Sequence, residues 1–459
     1  MSSTSYFDAV DFPALARNYP VEDALTVFGG MSRDELRARQ EARFRTLMAF
    51  AWKVPFYRRH WGAKGIEPGD IRGLDDLPQL PPYTKSDLMA SVEAHPPLGD
   101  FHGRDIAAGS GRLPLIFHTT SGTTGKPQPL LWGPKSREVQ NILLARVYRM
   151  QGLTEHDVIH SVYGFGLVNG GHYIREAIQH WLGAQVLTAG TGAETSSAQQ
   201  VRMMCDFQAT AIVGFGDYIR RLADVAMEEG IEPGRDIRIR TISGHLGAEN
   251  AQDLADRWDA EQVFDWYGVG DTGVIAAEGP DHDGMHIMED AQIVELVDPE
   301  TLQPVPDGGT GDLVCTCLYK DDIYPVIRFQ TQDLTRILPG GNALDLPFRR
   351  MAGHLGRSDS MVKLRGVNVY PQGVGAILSA GFPETTGEYV CIVSRIDSRA
   401  EMEVQVEVTT QADGLSSRME ALLKTRLGIQ INVRTVAPGA TAELTELERR
   451  QKPRRLIEG

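Results

Sequence analysis

The 459-residue chain has only four cysteines, Cys205, Cys315, Cys317 and Cys391. That is too few for a disulfide scaffold, so the core is expected to rest on apolar packing in a reducing setting. No apolar run approaches the roughly 18–20 residues of a membrane helix, so no spanning segment is expected. The opening residues, MSSTSYFDAVDFP, carry neither a basic segment nor an apolar stretch. No secretory signal is expected from them, and the cytoplasm is the expected location. Positive charge is also in deficit, with 46 Lys and Arg against 61 Asp and Glu and a net charge of −15. Such a chain binds nucleic acid poorly in a non-specific way, so neither nucleic acid nor membrane is an expected partner. An anionic ligand would have to be held locally, by oriented backbone N–H groups and one or two cations. Internal repeats and low-complexity tracts are missing as well.

What is present is globular. Apolar residues make up 42% and charged residues 23%, ordinary values for a folded chain. The length suggests two or more domains. Ser32 to Glu35 reads as a capping box opening a helix, with Phe44, Leu47, Met48 and Ala51 on its buried face. Pro55 to Leu88 is rich in Pro, Gly and Asp and reads as loop with short elements. Strand-like runs follow at Leu113–His118, Val158–Tyr163, Ala184–Thr188, Ala211–Val213, Ile237–Ser243 and Gln262–Trp266. Helical segments separate them, one around Arg137–Met150, which predicts an α/β domain with a largely parallel sheet. Ile293–Val297, Gly311–Leu318 and Val326–Phe329 are short and turn-separated, as in a small antiparallel sheet or barrel. After Gly356, Val390–Ser394, Glu403–Val408, a helix near Ser416–Leu427 and Gln430–Val436 predict a small α+β domain. Glu446–Gly459 is basic and polar and reads as a mobile tail.

The most informative run is His118-Thr119-Thr120-Ser121-Gly122-Thr123-Thr124-Gly125-Lys126-Pro127. Glycines let backbone N–H groups turn towards one point, hydroxyls add donors, and Lys126 adds charge, which together make a phosphate cradle. It is not a Walker A loop, because two residues rather than four separate its glycines and Pro follows the lysine. The run resembles the phosphate loop of the adenylate-forming superfamily of acyl-CoA synthetases, luciferases and adenylation domains. Within that superfamily the chain is similar to the phenylacetate-CoA ligase group of aryl-CoA ligases, over most of its length. Val54-Pro55-Phe56-Tyr57-Arg58 and the stretch from Leu77-Pro78 to Lys85-Ser86-Asp87-Leu88 resemble the group's N-terminal signature. Tyr163-Gly164-Phe165-Gly166-Leu167 with Gly170-Gly171, then Gly247-Ala248-Glu249, then Asp265-Trp266-Tyr267-Gly268 follow in family order. Ile327-Arg328-Phe329-Gln330-Thr331-Gln332-Asp333-Leu334, Gly356-Arg357-Ser358-Asp359 and Gly366-Val367-Asn368-Val369-Tyr370-Pro371 complete the series.

The resemblance implies a large N-terminal domain, residues 1–358, of mixed and parallel sheets plus a small antiparallel barrel. A mobile α+β domain, residues 359–459, would follow, with its hinge near Asp359. It also implies the chemistry. A carboxylate attacks the α-phosphate of ATP to give an acyl-adenylate, and a thiol or amine then displaces AMP. Thr120, Ser121, Gly122, Thr123, Thr124, Gly125 and Lys126 would hold the triphosphate, with Mg²⁺ bridging phosphates and bound by Asp271. Asp333 would accept both ribose hydroxyls, a task that suits a carboxylate. Tyr267 would offer a flat face to adenine, and Gly247, Ala248, Glu249 and Gly268 would line its approach. Arg357 would hold ribose or phosphate. Lys452 is the implied adenylation lysine, bridging carboxylate and α-phosphate as charge develops. Tyr163, Phe165, Gly166, Asn169, Gly170 and His172 occupy the segment that lines the acid pocket in relatives, and aromatics with glycines suit a flat ring.

One segment departs from the family. Relatives carry Tyr-Gly-x-Thr-Glu, whereas this chain has Tyr267-Gly268-Val269-Gly270-Asp271. Gly270 removes a hydroxyl, Asp271 is one methylene shorter than Glu, and Thr272 is a candidate replacement for the missing hydroxyl. The leading expectation is ATP-dependent activation of an aromatic acid with transfer to coenzyme A. A carrier-protein thiol, an amine, or nitrite activated to diazotise an aryl amine stays open, as does a non-catalytic nucleotide-binding protein. A homodimer is also left open. His282-x₃-His286 and Cys315-x-Cys317 supply two imidazoles and two thiolates, a donor set for tetrahedral structural zinc. The resemblance implies such a zinc at a C-x-C pair, with His282 replacing a cysteine that has no counterpart. The other reading is two loop histidines and two reduced cysteines sharing one strand face.

Overall fold

The computed structural model describes residues 5–104, 113–120, 127–247, 249–365, 367–396, 399–446 and 453–458. The chain divides into two compact units. One comprises Met1–Thr188 with Phe264–Gly353, the other Ala189–Val263 with His354–Gly459.

In the first unit the helix Arg33–Ala51 begins where the capping box places it. Ser32 Oγ accepts from the Glu35 amide at 3.2 Å, and Glu35 Oε2 accepts from the Ser32 amide at 2.9 Å. Leu36, Phe44, Leu47, Met48 and Ala51 are buried on one side of it. The stretch read as loop after Pro55 holds two helices, Pro55–Gly62 and Lys85–Ala94, the first opened by a proline at its first turn. Strands β1 (Ile116–Thr119) and β2 (Pro129–Trp132) form an antiparallel pair with Thr119 opposite Pro129. The helix Pro134–Met150 follows and is buried along nearly its whole length, including Ser136, Arg137, Glu138, Gln140 and Asn141.

Strands β3 (Val158–Ser161) and β4 (Gln185–Thr188) run parallel, joined through the helix Asn169–Glu176. Parallel pairing needs such a crossover, which the alternating pattern signals. The later strands of this unit are antiparallel. They are β7 (Gln262–Val269), β8 (Gly273–Glu278), β9 (Met285–Ile287), β10 (Gln292–Val297), β11 (Thr310–Cys317), β12 (Val326–Leu338) and β13 (Arg350–Met351). Their spatial order is β10-β11-β12-β13-β9-β8-β7. β12 extends nine residues beyond the sequence reading, because most of its polar residues are buried and paired rather than solvated.

In the second unit β5 (Ala211–Phe215) and β6 (Thr241–His245) are parallel and almost wholly buried, as their continuous small and apolar residues require. Short strands β14 (Gly356–Arg357), β15 (Val362–Leu364) and β16 (Val367–Val369) lead into a four-stranded sheet. It contains β17 (Thr385–Ile396), β18 (Arg399–Val408), β19 (Asn432–Val436) and β20 (Leu456–Glu458), in the order β19-β18-β17-β20. The helices Pro371–Gly381 and Leu415–Leu427 supply Val374, Leu378, Met419 and Leu423 to a core shared with Val404 and Val406. The expected mobile tail is corrected in part. β20 pairs parallel with β17, with Cys391 opposite Leu456, so the last described residues are structural. Leu456 packs on the core, which the basic residues before it disguised.

Candidate active site

The antiparallel β1–β2 pair brackets the Gly/Thr run. At its base the Thr120 amide donates to the Gln128 carbonyl, and the Gln128 amide donates to Thr120 Oγ1, both at 3.1 Å. Ser121, Gly122, Thr123, Thr124, Gly125 and Lys126 lie outside the described residues, as do Ala248 and Lys452. Beside the bracket, buried Asp271 accepts on Oδ1 from Gln128 Nε2 at 2.8 Å and from the Tyr324 hydroxyl at 2.6 Å. Two donors on one oxygen fix the carboxylate plane.

A carboxylate held this way suits Mg²⁺, which takes one or two carboxylates and fills its remaining positions with phosphate oxygens and water. The Gly270 departure is visible in space. A Cβ there would meet only Leu130 Cδ1, at 3.2 Å. Thr272, the candidate replacement, is fully buried, and its Oγ1 donates to the Gly273 carbonyl. Gly268 has a backbone reason to be glycine: a Cβ would lie 2.5 Å from the Gly273 carbonyl oxygen, where β7 and β8 shift register.

Tyr267 and Asp333 meet. The Tyr267 hydroxyl donates to Asp333 Oδ2 at 2.6 Å, and the Asp333 amide donates to Thr331 Oγ1 at 3.1 Å. Burial, and then the Asp333 charge, push the phenol well above its ordinary range, so Tyr267 stays a neutral donor.

In the segment expected to line the acid pocket, Tyr163 is buried with its ring centroid 6.2 Å from that of Trp266. Phe165 meets His172 edge-on at 5.4 Å, and His172 Nε2 lies 3.0 Å from the Gly166 carbonyl. Near Gly170 only Tyr163 Cδ1 comes within 4 Å of an added Cβ, so this face has room. Asn169 Oδ1 accepts from Arg137 Nη1 at 2.7 Å, and Arg137 Nε donates to Glu176 Oε2 at 2.6 Å. His118 Nε2 lies 3.2 Å from the same Arg137 nitrogen. Burial and the Arg137 charge lower the His118 pKa to about 4, leaving a neutral imidazole that accepts from the guanidinium.

In the second unit, Gly247 adopts φ +64°, and Glu249 accepts from Arg220 Nε at 3.1 Å. Arg357 is engaged bidentately by Asp359, at 2.7 and 2.6 Å.

Comparison with known proteins bears on this geometry. Residues 76–316 match the family model of the AMP-binding enzymes, and residues 366–457 match that of the AMP-binding enzyme C-terminal domain. The chain is 31% identical over 444 residues to a phenylacetate-coenzyme A ligase of Thermus thermophilus, covering 89% of this chain and 94% of that one. It is 32% identical over 427 residues to the Pseudomonas putida protein of the same name, covering 89% and 92%. The chain belongs to the adenylate-forming AMP-binding enzymes. It is an AMP-forming acid ligase. Its fold superposes with a TM-score of 0.82 and 26% identity on a 2-hydroxyisobutyryl-CoA ligase in the postadenylation state, covering 94% of this chain and 91% of that one. The same solved ligase in the thioesterification state gives 0.67.

The zinc expectation for this ligase is corrected. Among the described residues no three His, Cys, Asp or Glu side chains gather as a metal would require. β12 and β13 separate β9, which carries His286, from β11, which carries Cys315 and Cys317. Three strand spacings amount to roughly 14 Å. His286 is spent on Asp281 at 3.1 Å, and His282 stacks on Phe264 at 4.8 Å. Burial pushes Cys317 up to about 12, and Cys315 is raised as well.

The sequence reading missed Gln128, Tyr324, Arg137 and Glu176, none of which belongs to a Gly-rich or acidic motif. For Arg137 the available signal was the polar residues crowded into the helix Pro134–Met150. It also missed Lys320. This side chain is fully buried, with Nζ 3.6 Å from the Trp132 ring centroid and 4.6 Å from that of Tyr324. Burial lowers its pKa to about 8. Among the described residues the helices are too short or too polar to cross a membrane.

Proposed function

We propose that the ligase activates an aromatic carboxylic acid with ATP, through an acyl-AMP intermediate, and passes the acyl group to coenzyme A. The observation that carries the reading is the joint placement of two anchored carboxylates, Asp271 beside the bracket of the phosphate run and Asp333 on the Tyr267 hydroxyl. The phenylacetate-coenzyme A ligases that match most of the chain support an aromatic acid and coenzyme A. Thr120 and the run to Lys126 would bind the triphosphate, and Asp271 would hold Mg²⁺, which neutralises phosphate charge. Asp333 would bind the ribose hydroxyls with its orientation set by Tyr267, and Tyr267 with Gly247, Ala248 and Glu249 would enclose the adenine. Lys452 would stabilise the charge that develops between carboxylate and α-phosphate. Tyr163, Phe165, Asn169 and His172 would receive the acid. The domain boundary near Asp359 belongs to this reading, as the hinge that lets one small domain serve both half-reactions.

A second reading has an observation of its own. Gly270 leaves the position beside Asp271 without the family hydroxyl, and in this reading the electrophile is changed in kind, with nitrite in place of the carboxylate and an aryl amine as acceptor. The test measures pyrophosphate and AMP release from ATP and Mg²⁺ with a panel of aromatic acids, each with and without coenzyme A, and with nitrite plus an aryl amine. Release with an acid, completed by coenzyme A, supports the first reading. Release only with nitrite supports the second. Silence with every substrate, together with ATP binding by calorimetry, returns the non-catalytic alternative.

A further inference from the structure

Lys320 is a buried cation that the proposed chemistry leaves unused. Its side chain is fully buried, and its Nζ has no hydrogen-bond partner among the described residues. Lysine is almost never fully buried unless it is paired. Here the ammonium lies against two aromatic faces instead, 3.6 Å from the Trp132 ring centroid and 4.6 Å from that of Tyr324. Its pKa of about 8 leaves it charged at neutral pH. The carboxylates whose charge it feels are Asp322 and Asp271. Asp322 is occupied elsewhere, accepting from the Ser136 amide at 3.1 Å and from the Ile323 amide at 2.8 Å.

Both rings belong to elements of the proposed site. Trp132 closes β2, one of the two strands that bracket the phosphate run. The Tyr324 hydroxyl donates to Asp271 Oδ1 at 2.6 Å. Gln128 Nε2 donates to the same oxygen at 2.8 Å and lies 3.3 Å from the Tyr324 hydroxyl. Both donors fall on Oδ1, which leaves Oδ2 for a cation. The Tyr324 ring is also flanked by Phe101 at 5.2 Å and His102 at 5.3 Å, and the Tyr324 amide donates to the His102 carbonyl at 2.8 Å. A buried ammonium without hydrogen bonds costs desolvation that a methionine of similar length would avoid, so packing alone does not account for the lysine. What the charge adds is directional. Held by the ring quadrupole, it resists tilting of the phenol, and by drawing electron density from the ring it makes the hydroxyl a stronger donor to Asp271.

We infer that Lys320 is a positioning residue for metal binding at Asp271, acting through the Tyr324 ring to hold the carboxylate in the orientation that receives Mg²⁺. This role rests on the assignment of Asp271 to Mg²⁺ in the function proposed above. A charge acting only by repulsion would weaken Mg²⁺ binding, so positioning and simple repulsion predict changes of opposite sign when the charge is removed.

The test uses the full chain with Lys320→Met, Tyr324→Phe and the double variant, each checked for cooperative thermal melting. ATP dissociation constants are measured by calorimetry with Mg²⁺ and with EDTA, without an acid, so that no adenylate forms. The ratio of the EDTA constant to the Mg²⁺ constant reports what the metal contributes. That ratio is expected to fall about tenfold in each single variant, the scale for loss of a group that orients a metal ligand, with the EDTA constant within about twofold of wild type. In the double variant the losses are expected not to add, because both act through one hydroxyl. Lys320→Gln, also neutral, carries the test if the methionine variant does not fold. An unchanged or increased ratio in a folded Lys320 variant overturns the role, as do additive losses or an equal weakening of ATP binding in EDTA. A wild-type ratio near one removes the metal assignment of Asp271 and the role with it. The expected fall, found in an enzyme whose wild type is silent with every aromatic acid, supports the role and removes only the substrate reading.

Discussion

At the residue scale the site depends on carboxylates whose orientation is fixed by uncharged donors. Asp333 is held by a phenol, and Asp271 by a phenol and an amide. Asp333→Ala is expected to raise the ATP dissociation constant at least about tenfold, the scale of a lost pair of charge-assisted hydrogen bonds. Calorimetry checks it, and an unchanged constant would remove the ribose assignment. Lys320 gives a pH prediction. Its folded pKa, about 8, lies below the ordinary lysine value, so between pH 8 and 10.5 the unfolded chain binds the extra proton. Stability contributed by this group therefore rises with pH across that window, and below pH 8 the buried ammonium costs on the order of 3 kcal/mol. Lys320→Met is expected to raise stability at pH 7 and to flatten the rise between pH 8 and 10.5. Urea melts at pH 7 and pH 10 decide it, and an unchanged slope would show that the group does not titrate there. Asp333 and Tyr267 stood out as candidates in the sequence because they sit in ordered motifs, and the fold brings the two together. Lys320 was not, because a lysine beside two aspartates reads as surface, and only the packing of Trp132 and Tyr324 buries it.

At the element scale, close backbone approach and strand pairing decide more than local composition does. Gly268→Ala would push a methyl to 2.5 Å from the Gly273 carbonyl oxygen, and the β7–β8 pair must open to admit it. A loss of about 1–3 kcal/mol is expected, the range for overpacking, together with reduced ATP affinity. Chemical denaturation and calorimetry on the same variant check both. Most strands and the helix Leu415–Leu427 were readable from apolar runs to within a few residues. β20 was not, because a three-residue strand has no period of its own, and its pairing with β17 is a long-range event. The same limit explains the zinc expectation. Spacing along the chain brought His286 and Cys317 together on paper, while strand order set them apart. Incubation with a strong chelator is accordingly expected to leave the melting temperature unchanged, and a fall of several degrees would restore a structural metal.

At the scale of the whole molecule, the proposed mechanism assigns different residues to its two half-reactions. Lys452→Ala is expected to abolish pyrophosphate release while sparing thioester formation from a supplied adenylate. Rapid-quench assay of each half separates the two, and parallel loss would refute the division. The prediction belongs to this scale because it concerns which part of the chain serves which step.

The sequence by itself determined the family and the α/β architecture, and it set out the candidate nucleotide motifs, because each is local. A phosphate cradle needs its glycines and hydroxyls consecutive, and a helix needs its cap and apolar stripe within a few turns. Tertiary structure alone decided which partners hold those motifs. Gln128 and Tyr324 reach Asp271 across 143 and 53 residues of chain, and Arg220 reaches Glu388 across 168. A buried polar group takes whatever partner the fold brings within hydrogen-bonding distance, and that choice is written in strand order and helix packing rather than in neighbouring letters.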